Sequence, residues 1–312
     1  MSRPEQFSGA NVHPDTGKPL LTSVSASVPQ LPEPFCHNGV GIMLRRIGIK
    51  TRGWLSVAQG FGIRLGVFSR PADPKGVREI IEKMKPRRID KDLILVGDGG
   101  DGTYVLPNDL EGIGFCFSPG VGPVAKFEER LFSEYDIKSF LIDASVEAVP
   151  SKKLGEFVFD RLFLGAFSRP DFISLQDWVH KYQSNDHEDY ILQMDIEGAE
   201  YAAILSAPQV ILRRFRIIAI ELHSLDMLVL PQFRSIFVEF LEKLMEDFVV
   251  CYASGNNCCG SIEIDGRTVP RALELTLVRR DRVQILDGLP DSSLQKVDNI
   301  GSNNFISLTN WF

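Results

Sequence analysis

The stretch Tyr-Ile-Leu-Gln-Met-Asp-Ile-Glu-Gly-Ala-Glu at residues 190–200 joins a short apolar run to three closely spaced carboxylates. An apolar run of this length is typical of a buried parallel strand, which carries its functional residues at its carboxyl end. Because burying an unpaired carboxylate is costly, a strand that ends at Asp195 is expected to open into a cleft. The alternative is a strand that emerges into solvent, where the acidic residues cap the next helix.

Two predicted strands upstream end at features that suit a nucleotide cofactor. Residues 113–118 lead into Pro-Gly-Val-Gly-Pro, where the glycines allow the backbone to pass close to a cofactor. Residues 138–142 end at Asp143, about twenty residues after the glycine turn, where a carboxylate can accept hydrogen bonds from ribose hydroxyls. Glu147 is a competing candidate for this contact. The same unit would serve NAD, so it does not separate a dehydrogenase from other nucleotide-dependent enzymes.

A predicted strand downstream, residues 215–222, ends at Glu221 and His223. Because neighbouring parallel strands end at one edge of a sheet, Asp195 and Glu221 are expected to lie close together. Two carboxylates there could hold a magnesium ion, or could contact the acceptor or the cofactor directly. The intrinsic pKa of His223, near ~6.5, suits a general base, and the alternative is a histidine that fixes a loop by hydrogen bonding.

The acidic hexapeptide at residues 195–200 resembles the signature of the FkbM-type S-adenosylmethionine-dependent methyltransferases. The resemblance runs from Gly97 to Arg280 and includes Asp-Gly-Thr-Tyr-Val at 101–105, Ile-Glu-Leu-His at 220–223, Asn-Asn-Cys-Cys-Gly at 256–260 and Leu-Glu-Leu-Thr at 273–276. It implies S-adenosyl-L-methionine as methyl donor and the class I methyltransferase fold. That fold is a Rossmann-like α/β fold whose mostly parallel, seven-stranded sheet has an antiparallel last strand.

The predicted site residues lie at predicted strand ends or in the turns and first helical turn that follow them. Many class I methyltransferases carry an acidic residue just before the glycine turn, where this chain has Ser118. The predicted cofactor-binding residues are Ser118, Gly120, Gly122, Asp143, Asp195 and Glu197; the predicted catalytic residues are His223, Asp195 and Glu221; the predicted magnesium pair is Asp195 and Glu221.

Pattern and composition divide the chain into three segments. Residues 1–72 predict a partly disordered N-terminal extension, residues 73–280 the methyltransferase domain, and residues 281–312 an irregular tail. Within the domain, we expect a third strand at 159–164, and two late strands at 248–252 and 273–278 joined by a polar loop.

Charge and cysteine usage bear on partners and location. A net charge of −7 argues against a nucleic-acid binder that relies on bulk electrostatics. Residues 39–90 nevertheless hold twelve Lys or Arg against four acidic residues, and this basic segment is interpreted as a solvated face rather than a surface for anionic lipid or another polyanion. A membrane-surface role for residues 54–68 is the less favoured alternative. Five cysteines without a signal segment predict a cytoplasmic protein.

The leading functional hypothesis is O-methylation of a hydroxyl group on a sugar, glycolipid or other secondary metabolite, with a small-molecule or glycan acceptor. The rival is a catalytically silent, methyltransferase-like binding or scaffolding protein, which is suggested by Ser118 at the position where an acid is usual. A nicotinamide-dependent dehydrogenase is the third hypothesis. The sequence does not indicate an oligomeric state.

Overall fold

The computed structural model describes residues 74–99, 102–122, 124–148, 157–182, 189–288 and Leu308. The predicted N-terminal extension, the segment proposed for membrane contact and most of the predicted tail lie outside these residues. Among the helices that are described, none is long and apolar enough to cross a membrane.

The described chain folds into eleven strands and six α-helices, with two short 3-10 helices. The strands are β1 Leu93–Val96, β2 Tyr104–Pro107, β3 Ile113–Pro119, β4 Lys138–Ile142, β5 Phe157–Asp160, β6 Phe163–Gly165, β7 Phe172–Ser174, β8 Asp189–Met194, β9 Phe215–Leu222, β10 Phe248–Ile264 and β11 Arg267–Arg279. The helices are α1 Pro74–Lys83, α2 Lys126–Tyr135, α3 Leu175–Tyr182, α4 Glu200–Ser206, α5 Gln209–Leu212 and α6 Pro231–Asp247.

Seven of these strands form one sheet, in the order β5-β4-β3-β8-β9-β11-β10. Within this sheet, the neighbouring strands β5, β4, β3, β8 and β9 pair in parallel. Strand β11 is antiparallel to both β9 and β10. This topology confirms the predicted Rossmann-like α/β fold with an antiparallel last strand. The chain leaves β3 toward β4 and β5 and returns to β8 on the other side, so the crevice between β3 and β8 is the switch point where such sheets bind ligands.

Helices cover both faces of the sheet because its central strands are apolar on both sides. Every residue of β9 is buried. Ile218 and Ile220 pack toward one core cluster, which is shared with α1 and α3 to α6, while Ile217 and Ala219 pack toward another, which is shared with α2 and the β1–β2 pair. On α6, Phe237, Phe240, Leu241 and Leu244 are buried, whereas Ile236 is 49% exposed.

Two sequence-based predictions of strands are wrong in their extent. The predicted third strand breaks after Asp160, where Leu162 N donates to Asp160 O at 2.9 Å, and β6 instead pairs with β7 in a separate two-stranded sheet. The polar loop predicted between the last two strands lies within β10. The hairpin turn is formed later by Asp265 and Gly266, which both have positive φ.

The hairpin of β10 and β11 is nevertheless irregular in the segment predicted as a loop. Its register passes from the pair Asn256 and Ala272 to the pair Ser261 and Pro270, so residues 257–260 form a bulge on β10. Cross-strand pairing with β11 therefore continues on both sides of a glycine-flanked polar segment.

The outer edge of β10 is bordered by two short segments. Arg87 N donates to Val250 O of β10 at 2.8 Å. Ile89 forms an isolated bridge with Ile285, and Leu286 N donates to Arg88 O at 2.9 Å. Residues 87–90 and residues 284–286 are thus paired with each other beside β10.

Candidate active site

The glycine turn after β3 lies directly against the end of β8. Gly120 has a φ of +81°, and a Cβ atom added there would lie 1.7 Å from the backbone oxygen of Asp195. Gly120 N also donates to Ile142 O of β4 at 2.9 Å. The turn therefore contacts the ends of both neighbouring strands, and only glycine fits this approach.

Asp143, at the end of β4, is bonded to the same turn. Its Oδ2 accepts a hydrogen bond from Gly122 N at 3.0 Å, and its Oδ1 accepts bonds from Ser145 N at 2.7 Å and Ser145 Oγ at 2.6 Å. A carboxylate has about four acceptor sites, so these contacts leave capacity for a ribose hydroxyl. The structure brings Gly120, Gly122 and Asp143 together, and their contact with a cofactor stays a prediction.

The Ser118 side chain faces an internal polar network rather than the edge of the sheet. Its hydroxyl contacts the carboxyl group of Glu128 on α2 and lies 2.6 Å from Gln193 Oε1 on β8. Gln193 Nε2 in turn donates to the Tyr104 hydroxyl at 2.7 Å. Ser118 is fully buried. Its assignment to the cofactor site stays a prediction.

Sequence reasoning missed Glu128, although one signal was present. Glu128 lies between the core positions Phe127 and Leu131 of α2, where an acidic side chain is unusual. Burial raises the pKa of its carboxyl group to about 7, even though the contact with Ser118 acts in the opposite direction.

His223, one residue beyond β9, is surrounded by carboxylates. Its Nδ1 lies 3.0 Å from Glu200 Oε1. Its Nε2 lies 3.7 Å from Asp195 Oδ1, 3.5 Å from Glu197 Oε2 and 3.6 Å from Glu221 Oε1. The three predicted catalytic residues, His223, Asp195 and Glu221, are therefore brought together, and Glu197 joins them.

Glu200 organises this cluster from the first turn of α4. Its side chain is fully buried, and Oε1 also accepts hydrogen bonds from Ile196 N and Gly198 N, each at 3.1 Å. These two bonds hold the turn that precedes α4. The contact of Glu200 with His223 depends on the tertiary fold, and the sequence pattern did not indicate it.

The charge of the cluster changes the ionisation of its members. Burial alone would lower the pKa of His223, but the hydrogen bond and charge of Glu200, with the charges of Glu221 and Asp195, raise it to about 9. The pKa of Asp195 is raised to about 7 by burial, against the influence of His223. While no cation is bound, an imidazole with this pKa is charged at neutral pH and cannot accept a proton, so these charges do not favour the general-base role predicted for His223.

Glu221 is held by a residue from the bulged strand. Asn256 Nδ2 donates to Glu221 Oε1 at 2.9 Å, while Asn256 Oδ1 accepts from Cys258 N at 2.9 Å. The group whose possible ligand atoms all lie within 4.8 Å of one another is Asp195, Glu197 and His223. Within the described residues, this group shares only Asp195 with the predicted magnesium pair, and the assignment of Asp195 and Glu221 to magnesium stays a prediction.

Comparison with known proteins identifies one matching family. Residues 166–244 match the model of the methyltransferase FkbM domain, which confirms the resemblance inferred from the acidic hexapeptide. A search of curated protein sequences finds no match.

Several solved structures are similar to this chain. A putative RNA methyltransferase from Pyrococcus horikoshii has 17% identity, with 55% of this chain and 75% of that chain covered and a TM-score of 0.31. A precorrin-6y C5,15-methyltransferase from Geobacter metallireducens GS-15 has 10% identity, with coverages of 69% and 96% and a TM-score of 0.32. The plantazolicin methyltransferase BpumL, in complex with a monoazolic desmethylPZN analog and S-adenosylhomocysteine, has 14% identity, with coverages of 53% and 76% and a TM-score of 0.28.

Proposed function

We propose that this chain, which matches the methyltransferase FkbM domain over residues 166–244, is an S-adenosylmethionine-dependent O-methyltransferase. Its acceptor is a hydroxyl group of a sugar, a glycolipid or another secondary metabolite. The observation that carries the proposal is the convergence of the Gly120 turn, Asp143 and Asp195 at the switch point of the sheet.

The order of strands suggests how cofactor and acceptor divide this edge. Neighbouring strands lie about 4.8 Å apart, so the ends of β4, β3 and β8 offer room for a nucleoside joined to an amino acid. Asp143 would bind the ribose, and the sulfonium would lie toward Asp195. The carboxylates of the cluster favour a cofactor that carries positive sulfonium and ammonium groups. The acceptor would then bind at the ends of β9 and β10.

Methyl transfer to an alcohol requires an in-line approach and removal of one proton. The acceptor oxygen attacks the methyl carbon while the carbon–sulfur bond breaks. The electron pair of that bond stays with sulfur, which gives neutral S-adenosylhomocysteine. The hydroxyl proton passes to a carboxylate of the cluster. Orientation of the two reactants supplies most of the rate, up to roughly 7–11 kcal/mol.

The rival hypothesis of a silent scaffolding protein drew on the missing acid at Ser118. Ser118 and Glu128 lie together in the internal network, so neither of them places a carboxylate at the edge of the sheet, and cofactor binding is the measurement that separates the two hypotheses.

Calorimetric titration of the full-length protein with S-adenosylhomocysteine tests the proposal. We expect binding that Asp143→Ala weakens at least about tenfold, because a carboxylate that accepts ribose hydrogen bonds contributes about 1.5–3 kcal/mol. The matched control is Glu147→Ala, which removes the exposed competing carboxylate four positions later and is expected to bind normally. Absence of binding to the wild-type protein would favour the scaffolding hypothesis, and normal binding by Asp143→Ala would reject the ribose assignment.

A further inference from the structure

The carboxylates around His223 Nε2 are spaced for a shared cation rather than for direct hydrogen bonds. Nε2 lies 3.7 Å from Asp195 Oδ1 and 3.5 Å from Glu197 Oε2, both beyond ordinary hydrogen-bond lengths. Metal–nitrogen and metal–oxygen bonds of about 2.0–2.2 Å place neighbouring tetrahedral ligand atoms about 3.3–3.6 Å apart. The observed separations match this spacing to within a few tenths of an ångström.

The histidine is also held as a metal ligand requires. Because Glu200 Oε1 can only accept, Nδ1 carries the proton of the contact between them, and Nε2 is the nitrogen that faces Asp195 and Glu197. A buried carboxylate on the far ring nitrogen is the usual support of a metal-bound histidine. The same oxygen of Glu200 accepts from Gly198 N, so it also holds the turn that carries Glu197.

An unsatisfied acceptor completes the geometry. Asp195 Oδ1 is buried and has no hydrogen-bond partner among the described residues. Leaving such an oxygen unsatisfied costs about 1–3 kcal/mol, and a cation between Asp195 and His223 would remove that cost.

We propose that Asp195, Glu197 and His223 bind a divalent first-row transition-metal ion beside the methyl donor. An imidazole with two carboxylates suits manganese, iron, cobalt or zinc better than magnesium, which prefers oxygen ligands alone. Three protein ligands leave a position open, as catalytic sites do, and the acceptor hydroxyl can occupy it. The metal ion would lower the pKa of the bound acceptor hydroxyl. Glu221, which Asn256 holds beside Asp195, Glu197 and His223, would receive its proton. This catalytic role rests on the proposed function, whereas binding of the ion does not.

Cobalt provides a spectroscopic test on the full-length, metal-stripped protein. We expect one Co²⁺ per chain, with visible absorption bands of the intensity that four- or five-coordinate cobalt gives. Glu197→Gln should weaken binding at least about tenfold, which is the size of effect seen when a metal site loses one supporting group. The Glu197 side chain is 85% exposed, so this substitution leaves the fold intact.

Two comparisons separate this site from other causes of cobalt binding. The matched control Glu239→Gln removes an exposed glutamate on α6 and should bind cobalt as the wild-type protein does. Cys258→Ser should leave the spectrum unchanged, because a sulfur-to-metal band from that thiol would place the ion elsewhere.

Wild-type protein without these bands at millimolar Co²⁺, or equal affinity in Glu197→Gln, would overturn the inference. Calorimetry with S-adenosylhomocysteine on the same samples keeps the two proposals apart. Cobalt binding without cofactor binding would reject the proposed function alone, and cofactor binding without cobalt binding would reject the metal site alone.

Discussion

Among the described glycines, Gly120 is the one at which an added methyl group would approach a neighbouring atom most closely. A residue with a side chain pays about 1–2 kcal/mol for the left-handed backbone conformation alone. At Gly122, whose φ is also positive, a Cβ atom would meet nothing within 4 Å, whereas at Gly120 it would meet the carbonyl of Asp195. We therefore expect Gly122→Ala to cost about 1–2 kcal/mol and Gly120→Ala roughly 4 kcal/mol or more. Denaturant unfolding measures both, and equal losses would contradict the close approach.

Glu128 gives a prediction about pH. Burial raises the pKa of its carboxyl group from 4.5 to about 7, so the folded protein binds its proton more tightly than the unfolded chain does. The stability from this group is present below pH 4.5 and is lost as the pH rises toward 7, by about 3 kcal/mol. Glu128→Gln cannot ionise, so its free energy of unfolding should fall less than that of the wild-type protein over this range. Parallel pH profiles for the two proteins would show that Glu128 is already charged.

At the scale of single residues, the sequence could predict those site residues that lie at or just beyond the end of a strand. Gly120, Asp143, Asp195 and His223 could be located because a parallel strand delivers its last residue to the edge of the sheet. Glu128 and Asn256 reach their partners from other elements, and no local period reports such a contact. The local pattern around Glu200 indicates only the start of a helix, so it gives no sign of the contact with His223.

Among the elements, the amino-terminal ends of β8 and β9 depend on Arg216. Its side chain is 6% exposed, its Nε donates to Asp189 Oδ2 at 2.8 Å, and its Nη1 donates to the backbone oxygens of Asp109 and Glu111. Removing one partner of a buried ion pair costs about 3–5 kcal/mol, so Arg216→Met should be strongly destabilising. Arg213→Met is the control, because Arg213 is 65% exposed and a surface pair with Asp247 contributes about 1 kcal/mol or less. Urea denaturation compares the two, and similar losses would refute a special role for Arg216.

The elements that were predicted well share a strong hydrophobic period or an unbroken apolar run. Val77, Ile80 and Ile81 recur at helical spacing in the sequence of α1, β9 contains a continuous apolar run, and these residues are buried in the structure. Prediction failed after Asp160, where β6 continues the apolar pattern although the chain turns. It also failed in β10, where Gly255 and Asn256 resemble a loop but pair with β11. In both places, pairing between distant segments outweighs the local preference.

For the whole molecule, ligand-linked stability distinguishes the competing cofactors. A ligand that binds only the folded protein stabilises it by about 2.7 kcal/mol at one hundred times its dissociation constant. S-adenosylhomocysteine should therefore raise the melting temperature by several degrees, while NADH should leave it unchanged. Scanning fluorimetry records both shifts, and a shift with NADH alone would support the dehydrogenase hypothesis.

The global topology followed from sequence more fully than the site did. Alternating strands and helices constrain the order of a doubly wound sheet, since parallel connections are short and right-handed. The chemistry of the cluster could not be derived in the same way. It depends on distances between β8, β9 and α4 that only the folded chain defines.

The pairing of residues 87–90 with residues 284–286 has a consequence for shortened forms of the chain. Removing everything after Val283 would delete the partners of Arg88 and Ile89 and release the segment that covers Val250. Light scattering would then detect dimers or larger species. A chain that ends at residue 288 should have the same oligomeric state as the full-length protein. An uncovered edge strand exposes unpaired backbone groups to which a second copy of the chain can bind. These few residues therefore protect the protein from fibre-like association.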